Sequence, residues 1–259
     1  MSTKFFTCTL AVMYRGRDDQ GDVQGGVMYF IEEGLGPAYR PLAIMFSISG
    51  LLGCIVFFQA NQLSQIIRDY FYTPMNLFQG DPLVGNFITG IVVAIVVGMV
   101  IFGGIKRIAK VASRMVPTMV GLYILAAILI LFNNLSDIPG VFVLIFQDAF
   151  TGNAVSGGAL GSLIIIGVRR GMFSNEAGTG TETMAHGAAK TTEPVREGLV
   201  AMLGPFIDTI VVCSITAIII MISGVYLEDL NGVSMTAAAF KKELGIPGQL
   251  FLTIAVLTF

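Results

Sequence analysis

A stretch without any charged residue, from Leu83 to Ile105, limits most strongly what this chain can fold into. It is longer than the roughly 18 apolar residues that are typical of a membrane-spanning helix, because the hydrocarbon core of a bilayer is about 30 Å thick. Further apolar runs lie at about 41–67, 115–132, 154–173 and 198–224, and another begins at 246–259. Charged residues make up only 12% of the chain, against about 25% in a soluble domain. The sequence therefore predicts an all-α, polytopic membrane protein.

The composition excludes several other classes of protein. The net charge is −2 and no basic patch is present, which argues against a nucleic-acid partner. Three cysteines (Cys8, Cys54 and Cys213) stand singly in apolar runs, so we expect buried free thiols rather than disulfides or a metal site. No nucleophile set is apparent, and His186 is the single histidine. We therefore predict that the protein is not an enzyme and needs no prosthetic cofactor.

The polar stretch from Gly167 to Lys190 is the first candidate for a functional site. Apolar runs precede and follow it, so we predict a broken span at about 154–190. Its polar residues are interleaved with glycines: Ser174, Asn175, Glu176, Gly178, Thr179, Gly180, Thr181, Glu182 and Thr183. Such a pattern predicts irregular backbone, which at membrane depth is tolerated only inside protein or beside a watery cavity. A half-helix that ends here would expose groups suited to a carboxylate or a sodium ion. The alternative is a tight helix crossing through small residues.

The first span carries polar residues near its C-terminal end. Gln59, Gln62 and Gln65 share one helical face, and Asn61 lies between them. Two interpretations stay open for this face. It forms hydrogen bonds to other helices, or it lines a path for a solute.

Ionisable residues inside the apolar stretches need a partner, a proton or access to water. Glu176 and Glu182 have Arg169 and Arg170 as their nearest partners along the chain, and the sequence leaves a structural ion pair and a transport role equally open. For Asp208, we favour a structural hydrogen-bonding role over ion coupling. For His186, a capping or packing role is favoured over proton relay.

Basic residues predict the orientation of the chain. The segment 106–114 holds four of them and no acidic residue, so we expect a cytoplasmic loop there. The segments 68–82 and 133–152 have few basic residues and are expected outside. We also predict the end of a helix at 5–14, a short amphipathic piece within 25–36, an interfacial apolar patch in a loop at 133–149 and a short surface helix at 228–244.

Four ordered segments resemble the alanine/glycine:cation symporters, also called the sodium:alanine symporter family. They are TKFF…TLAVMYR at 3–15, GGVMYFIEEGLG at 25–36, GVRRGMFSNEAGTG at 167–180 and FIDTIVVCSITA at 206–217. Three positions depart from the family pattern and fall in predicted loops. Val27 stands where the family has proline, and Glu193 and Glu197 stand where we expect His and Gln.

The resemblance implies a fold and a function. The fold is of the leucine-transporter type, with two inverted five-helix repeats, and residues 1–259 would form a single partial transporter domain running from the end of core helix 2 to the start of helix 8. The implied function is sodium-coupled symport of a small neutral amino acid, alanine or glycine, across the plasma or inner membrane. The partners are then the amino acid, sodium as the coupling ion, and the lipid bilayer. The alternative is a non-transporting membrane subunit or remnant.

The resemblance also implies a site. Ser174, Asn175, Gly178 and Thr179 would approach the amino acid at the helix break, and Gln59 and Asn61 would contribute from the neighbouring span. A glycine-rich first core helix is expected before residue 1, and most of the eighth after Phe259. We therefore expect most sodium ligands outside residues 1–259, and no coupled transport by this chain alone.

Overall fold

The computed structural model describes residues 1–17, 21–53, 57–78, 81–150 and 160–258. Within these ranges the regular structure is helical apart from one small antiparallel hairpin, in which Gly16–Arg17 (β1) pairs with Val23–Gln24 (β2). The all-α prediction is therefore confirmed for the described part of the chain. The inverted-repeat arrangement of helices stays a prediction.

Twelve α-helices occur in the described ranges. They are α1 Ser2–Met13, α2 Val27–Leu35, α3 Arg40–Gly53, α4 Phe57–Ile67, α5 Pro82–Ile101, α6 Gly104–Asn133, α7 Ile138–Phe150, α8 Leu160–Asn175, α9 Glu182–Gly187, α10 Pro194–Pro205, α11 Ser214–Ser223 and α12 Val233–Leu257. Two segments are π-helical, Arg68–Tyr72 and Phe206–Cys213, and two short 3₁₀ turns lie at Pro37–Tyr39 and Val225–Leu227.

The chain divides into two compact units. Unit 1 consists of Met1–Ile55 and Asp148–Ser214, and unit 2 consists of Val56–Gln147 and Ile215–Phe259. Each unit combines an N-terminal piece of the chain with a distant C-terminal piece.

Unit 1 is built around the crossing of α1 and α10. Gly198 and Ala201 of α10 are buried, and they lie three positions apart on one helical face. A Cβ added to Gly198 would lie 2.1 Å from Thr9 Oγ1 and 2.9 Å from the Phe5 carbonyl oxygen. The two backbones can therefore approach this closely only because position 198 has no side chain, as at small-residue crossings of membrane helices.

Unit 2 has an apolar core between α6, α11 and α12. Its buried members include Ile130 of α6, Ile219 of α11 and Phe240 of α12. The Phe240 ring packs against Tyr123, with ring centroids 5.5 Å apart. Burial of this α12 face corrects the prediction of a surface helix at 228–244, because the first half of α12 contributes the largest side chain of the core.

Three helical stretches in the described ranges are long and apolar enough to cross a membrane. They are Leu83–Ile101, Lys106–Asn133 and Pro194–Ser223. Large apolar side chains along them are exposed, such as Phe87 and Ile95 of α5 and Leu203 of α10. A soluble monomer rarely exposes apolar patches of this size, and a lipid environment would cover them.

Two predicted spans have a different form in the structure. The predicted span at 41–67 corresponds to α3 and α4, and residues 54–56 between them, with Cys54, lie outside the described ranges. The predicted broken span at 154–190 includes α8 and α9, and its first residues, 154–159, also lie outside the described ranges.

Three local predictions are wrong. The segment 106–114 is helical, because α6 begins at Gly104, directly after a two-residue turn at 102–103. The expected loop at 133–149 contains α7. Cys213 is exposed rather than buried, whereas Cys8 is buried as expected.

Candidate functional site

The candidate site lies in unit 1, where the chain leaves α8 and has not yet entered α9. The backbone is helical up to Asn175 and again from Glu182. In between, Glu176 and Gly180 have positive φ values of 55° and 76°. The Ala177 amide donates to Asn175 Oδ1 at 3.0 Å, and the Thr179 amide donates to the Glu176 carbonyl at 3.0 Å. Irregular backbone is therefore present where the polar, glycine-rich sequence predicts it, and local hydrogen bonds hold its shape.

The last two residues of α8 are fixed by the π-helical segment Phe206–Cys213. Ser174 Oγ donates to Asp208 Oδ2 at 2.6 Å, and Asn175 Nδ2 donates to Thr209 Oγ1 at 3.0 Å. Asp208 thus accepts hydrogen bonds, as its sequence context predicts, while the preference for a structural role over ion coupling stays a prediction. Thr209 was missed in the sequence, because it looks like an ordinary residue of an apolar span.

Gly178 and Thr179 are exposed on the break itself. Thr179 Oγ1 donates to the Glu176 carbonyl at 3.0 Å and also lies 3.0 Å from Thr181 Oγ1. A Cβ added to Gly178 would lie 2.2 Å from the terminal methyl carbon of Met172. The four predicted contact residues of unit 1 lie along one short segment, 174–179. The hydroxyl groups of Ser174 and Thr179 and the backbone of Gly178 are exposed on its surface.

Two residues of α1 contact the two sides of the break. Lys4 Nζ donates to the carbonyl of Asn175 at 3.0 Å, and Thr7 Oγ1 donates to Glu182 Oε1 at 3.1 Å. Lys4 is only 9% exposed and Glu182 only 6%. Sequence reasoning missed Lys4, although a lone cation within the apolar residues 1–14 is a signal that it has a partner.

The charged residues of this stretch have partners other than those expected. In the described structure neither Glu176 nor Glu182 forms an ion pair with Arg169 or Arg170. Glu176 instead accepts a hydrogen bond from Thr181 Oγ1 at 3.2 Å, and Glu182 accepts the one from α1. Of the two interpretations left open by the sequence, the ion pair with Arg169 or Arg170 is not formed among the described residues, because α8 ends before Glu176 and the arginines and glutamates do not continue on one helix face.

The far end of α9 is also anchored within unit 1. His186 Nδ1 and Glu197 Oε1 share a hydrogen bond of 2.7 Å. The backbones of Gly25 and Gly187 touch, since a Cβ added to Gly25 would lie 2.4 Å from Gly187 Cα. His186 therefore has the packing role favoured from the sequence, through a contact to α10.

Gln59 and Asn61 belong to α4, in unit 2. Asn61 is exposed, and Gln59 Oε1 is buried without a hydrogen-bond partner in the described structure. Their neighbours on α4 bind the start of α12. Gln62 Oε1 accepts from the Val233 amide at 2.7 Å, and Gln65 Nε2 donates to Ser234 Oγ at 2.9 Å. For these two glutamines the interhelical hydrogen-bonding interpretation is confirmed, while contact of Gln59 and Asn61 with a solute stays a prediction.

Comparison with known proteins decides the family. The model of the sodium:alanine symporter family matches residues 1–259. The chain belongs to this family. An uncharacterized transporter of Haemophilus influenzae is 39% identical over 269 aligned residues, which cover 100% of this chain and 56% of that protein. The sodium/alanine symporter AgcS of Methanococcus maripaludis is 41% identical over 271 residues, with coverage of 100% and 56%.

The name of another relative refers to a different amino acid, glutamine. The probable sodium/glutamine symporter GlnT of Bacillus subtilis is 36% identical over 262 residues, which cover 100% of this chain and 52% of GlnT. The chain thus spans about half the length of the curated relatives it matches. The sodium:alanine symporter family, to which the chain belongs, is a family of transporters.

Glu193 and Glu197, which depart from the family pattern, both have local contacts, and Glu197 lies within α10 rather than in the predicted loop. Glu197 is the partner of His186, and Glu193 lies 3.7 Å from Arg196 on an exposed helix start. Among the described residues, no group of three or more His, Cys, Asp or Glu side chains could hold a metal ion.

Proposed function

We propose that this chain is part of a sodium-coupled symporter that carries a small neutral amino acid, alanine or glycine, across the plasma or inner membrane. The observation that carries the proposal is the helix break at 176–181, between α8 and α9, where exposed polar groups lie beside the exposed Gly178. Broken helices of this kind present unpaired backbone groups to substrates and ions in membrane transporters. The names of two relatives, a sodium/alanine and a probable sodium/glutamine symporter, support sodium and an amino acid as the solutes.

We infer a small substrate from the residues at the break. A Cβ added to Gly178 would lie 2.2 Å from the flexible end of Met172, so there is little free space beside this glycine unless Met172 moves. A ligand with a hydrogen or methyl side chain fits beside such a surface more easily than glutamine does. We propose that Ser174, Asn175 and Thr179 surround this ligand.

A hybrid transporter tests the proposal. Residues 1–259 replace the matching segment of the M. maripaludis symporter, and the hybrid is reconstituted into liposomes with an inward sodium gradient. We expect sodium-dependent accumulation of labelled alanine or glycine, and weaker uptake of glutamine. Liposomes that contain residues 1–259 alone should show no coupled uptake, because the chain covers only about half of its relatives' length.

The parent symporter, reconstituted in parallel, is the control. If the parent accumulates alanine and a monodisperse hybrid accumulates none of the three amino acids, the transport proposal fails and a non-transporting membrane subunit becomes the better interpretation. Preferential uptake of glutamine would overturn the assignment of a small substrate and leave sodium coupling intact.

A further inference from the structure

Two side chains at the end of α8 and two in the π-helical segment Phe206–Cys213 form one hydrogen-bonded chain. Asn175 Nδ2 donates to Thr209 Oγ1 at 3.0 Å, and Thr209 Oγ1 in turn donates to Asp208 Oδ2 at 3.4 Å. Ser174 Oγ donates to the same oxygen at 2.6 Å. An ionised carboxylate can only accept hydrogen bonds. The Asp208 carboxylate therefore fixes the direction of every hydrogen bond in the chain.

This direction determines what Ser174 can offer to a ligand. A serine hydroxyl has one proton and two lone pairs, and the proton of Ser174 is committed to Asp208. Its oxygen can therefore only accept. Asp208 Oδ1 has no hydrogen-bond partner in the described part of the chain and is also an acceptor. Ser174 Oγ and Asp208 Oδ1 thus both present lone pairs, and the donor beside Ser174 is the weak S–H group of Cys213.

We propose that Asp208 makes this part of the site selective for a cationic group, either a sodium ion or the ammonium group of the amino acid, by binding it through Oδ1 and by holding the Ser174 hydroxyl oxygen as an acceptor. The inference rests on the proposed function and deepens it. Hard cations take oxygen ligands, including carboxylates and hydroxyls, and an ammonium group donates to the same atoms. The carboxylate of the amino acid is repelled here and binds elsewhere.

The other charged groups near the break leave these two oxygens free. The Lys4 ammonium is already engaged with the Asn175 carbonyl at 3.0 Å. The Glu176 carboxylate accepts from Thr181. Arg169 and Arg170 form no ion pair among the described residues, and both are exposed. None of the four charges occupies Ser174 Oγ or Asp208 Oδ1.

A native cysteine reports on this site without any need for transport. Cys213 is exposed, and its thiol lies close to both Ser174 and Asp208. In the hybrid, with every other cysteine replaced, the rate of Cys213 alkylation by N-ethylmaleimide is measured at rising sodium concentration. N-methylglucamine keeps the ionic strength constant. The reagent is neutral, so its approach does not depend on the charge of Asp208.

The decisive variant is Asp208→Asn, which keeps the shape of the side chain and removes the fixed direction of its hydrogen bonds. Because hydrogen bonds to charged groups contribute more than neutral ones, we expect the half-protecting concentration to rise by about tenfold. Asp208→Glu should restore part of the effect. Asp229→Asn, an exposed carboxylate in unit 2, is the matched control and should change nothing. Each comparison uses the ratio of rates with and without ligand, which cancels the intrinsic reactivity of the thiol.

Three probes distinguish the two sources of the cation. Protection by sodium alone, weakened in Asp208→Asn, assigns the site to sodium. Protection by alanine and by alaninamide but not by sodium alone, again weakened, assigns it to the ammonium group, because alaninamide lacks the carboxylate. Protection that Asp208→Asn leaves unchanged, or protection by propionate, overturns the inference. Since alkylation is read without a gradient, a hybrid that binds but fails to transport contradicts the proposed function alone.

Discussion

At the scale of single residues, Gly180 carries the sharpest constraint of the helix break. Its φ of 76° lies in the left-handed region, and an added Cβ would lie 3.0 Å from Val27 Cγ2. We expect Gly180→Ala to lower the free energy of unfolding by about 1–3 kcal/mol, measured by heat-induced loss of monodisperse protein in detergent.

The matched control for this change is Gly171→Ala. Gly171 lies inside α8, and an added Cβ there meets nothing within 4 Å. Since alanine favours helix over glycine, this variant should be neutral or more stable. Equal destabilisation of both variants would show that the left-handed turn at 180 is not a constraint.

Two substitutions at Gly178, to leucine and to alanine, test whether the substrate binds beside this residue. Gly178→Leu should reduce alanine uptake by the hybrid about tenfold or more, the factor that corresponds to about 1.4 kcal/mol, because the side chain fills the open surface beside Ser174 and Thr179. Gly178→Ala needs only the flexible end of Met172 to move and should keep most of the uptake. Normal uptake by a well-expressed Gly178→Leu variant would place the substrate elsewhere.

The same residues show how far sequence reasoning reaches at this scale. Ser174, Asn175, Gly178 and Thr179 were identified because polar residues and glycines stand out in an apolar chain. Their partners could not be found in this way. Asp208 lies 34 positions from Ser174, and Lys4 lies 171 positions from Asn175, so both contacts depend on packing between elements that local patterns do not encode.

At the scale of elements, the crossing of α1 and α10 is the most tightly packed feature of unit 1. Gly198→Val should destabilise the protein by about 1–3 kcal/mol, because both helices would have to separate to admit the side chain. Heat-induced loss of monodisperse protein again measures the change. Gly121→Ala on α6, where an added Cβ meets nothing within 4 Å, is the control. A Gly198→Val variant as stable as the control would mean that the helices can separate without loss.

Errors in the predicted elements have a common cause. A cluster of four basic residues at 106–114 was interpreted as a loop, although lysine and arginine are good helix formers, and the true turn is marked by Gly103 and Gly104. At 233–257, by contrast, the predicted division between a helix at 228–244 and a span from 246 coincides with the kink of α12 at Gly245, which has φ +68° and precedes Pro247 by two positions. Charge and hydropathy decide what crosses a membrane, whereas glycine and proline decide where a helix turns.

At the scale of the whole molecule, α6 predicts the orientation of the chain. Lys106–Asn133 contains 28 residues, which at 1.5 Å each give about 42 Å. This length exceeds a hydrocarbon core of about 30 Å by about two helical turns. The four basic residues at 106–114 lie at the N-terminal end of α6. Their helical placement therefore agrees with a cytoplasmic position, since basic residues accumulate on that side.

Single cysteines test this orientation. We expect Ser136→Cys to react with an impermeant thiol reagent from outside intact cells, and Lys110→Cys to react only after permeabilisation, in a background without Cys8, Cys54 and Cys213. Position 136 is preferable to Asn134, whose Nδ2 donates to Glu243 Oε2 at 2.8 Å. The reverse labelling pattern would invert the proposed topology.

The class and family could be predicted because both depend on features spread along the whole chain. Long uncharged runs specify a membrane protein, and four ordered motifs specify the family, which the match over residues 1–259 confirms. The inverted repeat could not be tested in the same way, since it relates two halves of a transporter and this chain spans about half the length of its relatives.

The two hydrogen bonds from α1 to the helix break have a mechanical consequence. Lys4 and Thr7 are three residues apart on one helical face, about 4.5 Å along the axis, and they hold the last residue of α8 and the first residue of α9. α1 thus links the end of α8 to the start of α9 and restrains the distance between these two helix ends. A hinge motion at 176–181 would have to carry α1 with both halves or release one of the two bonds.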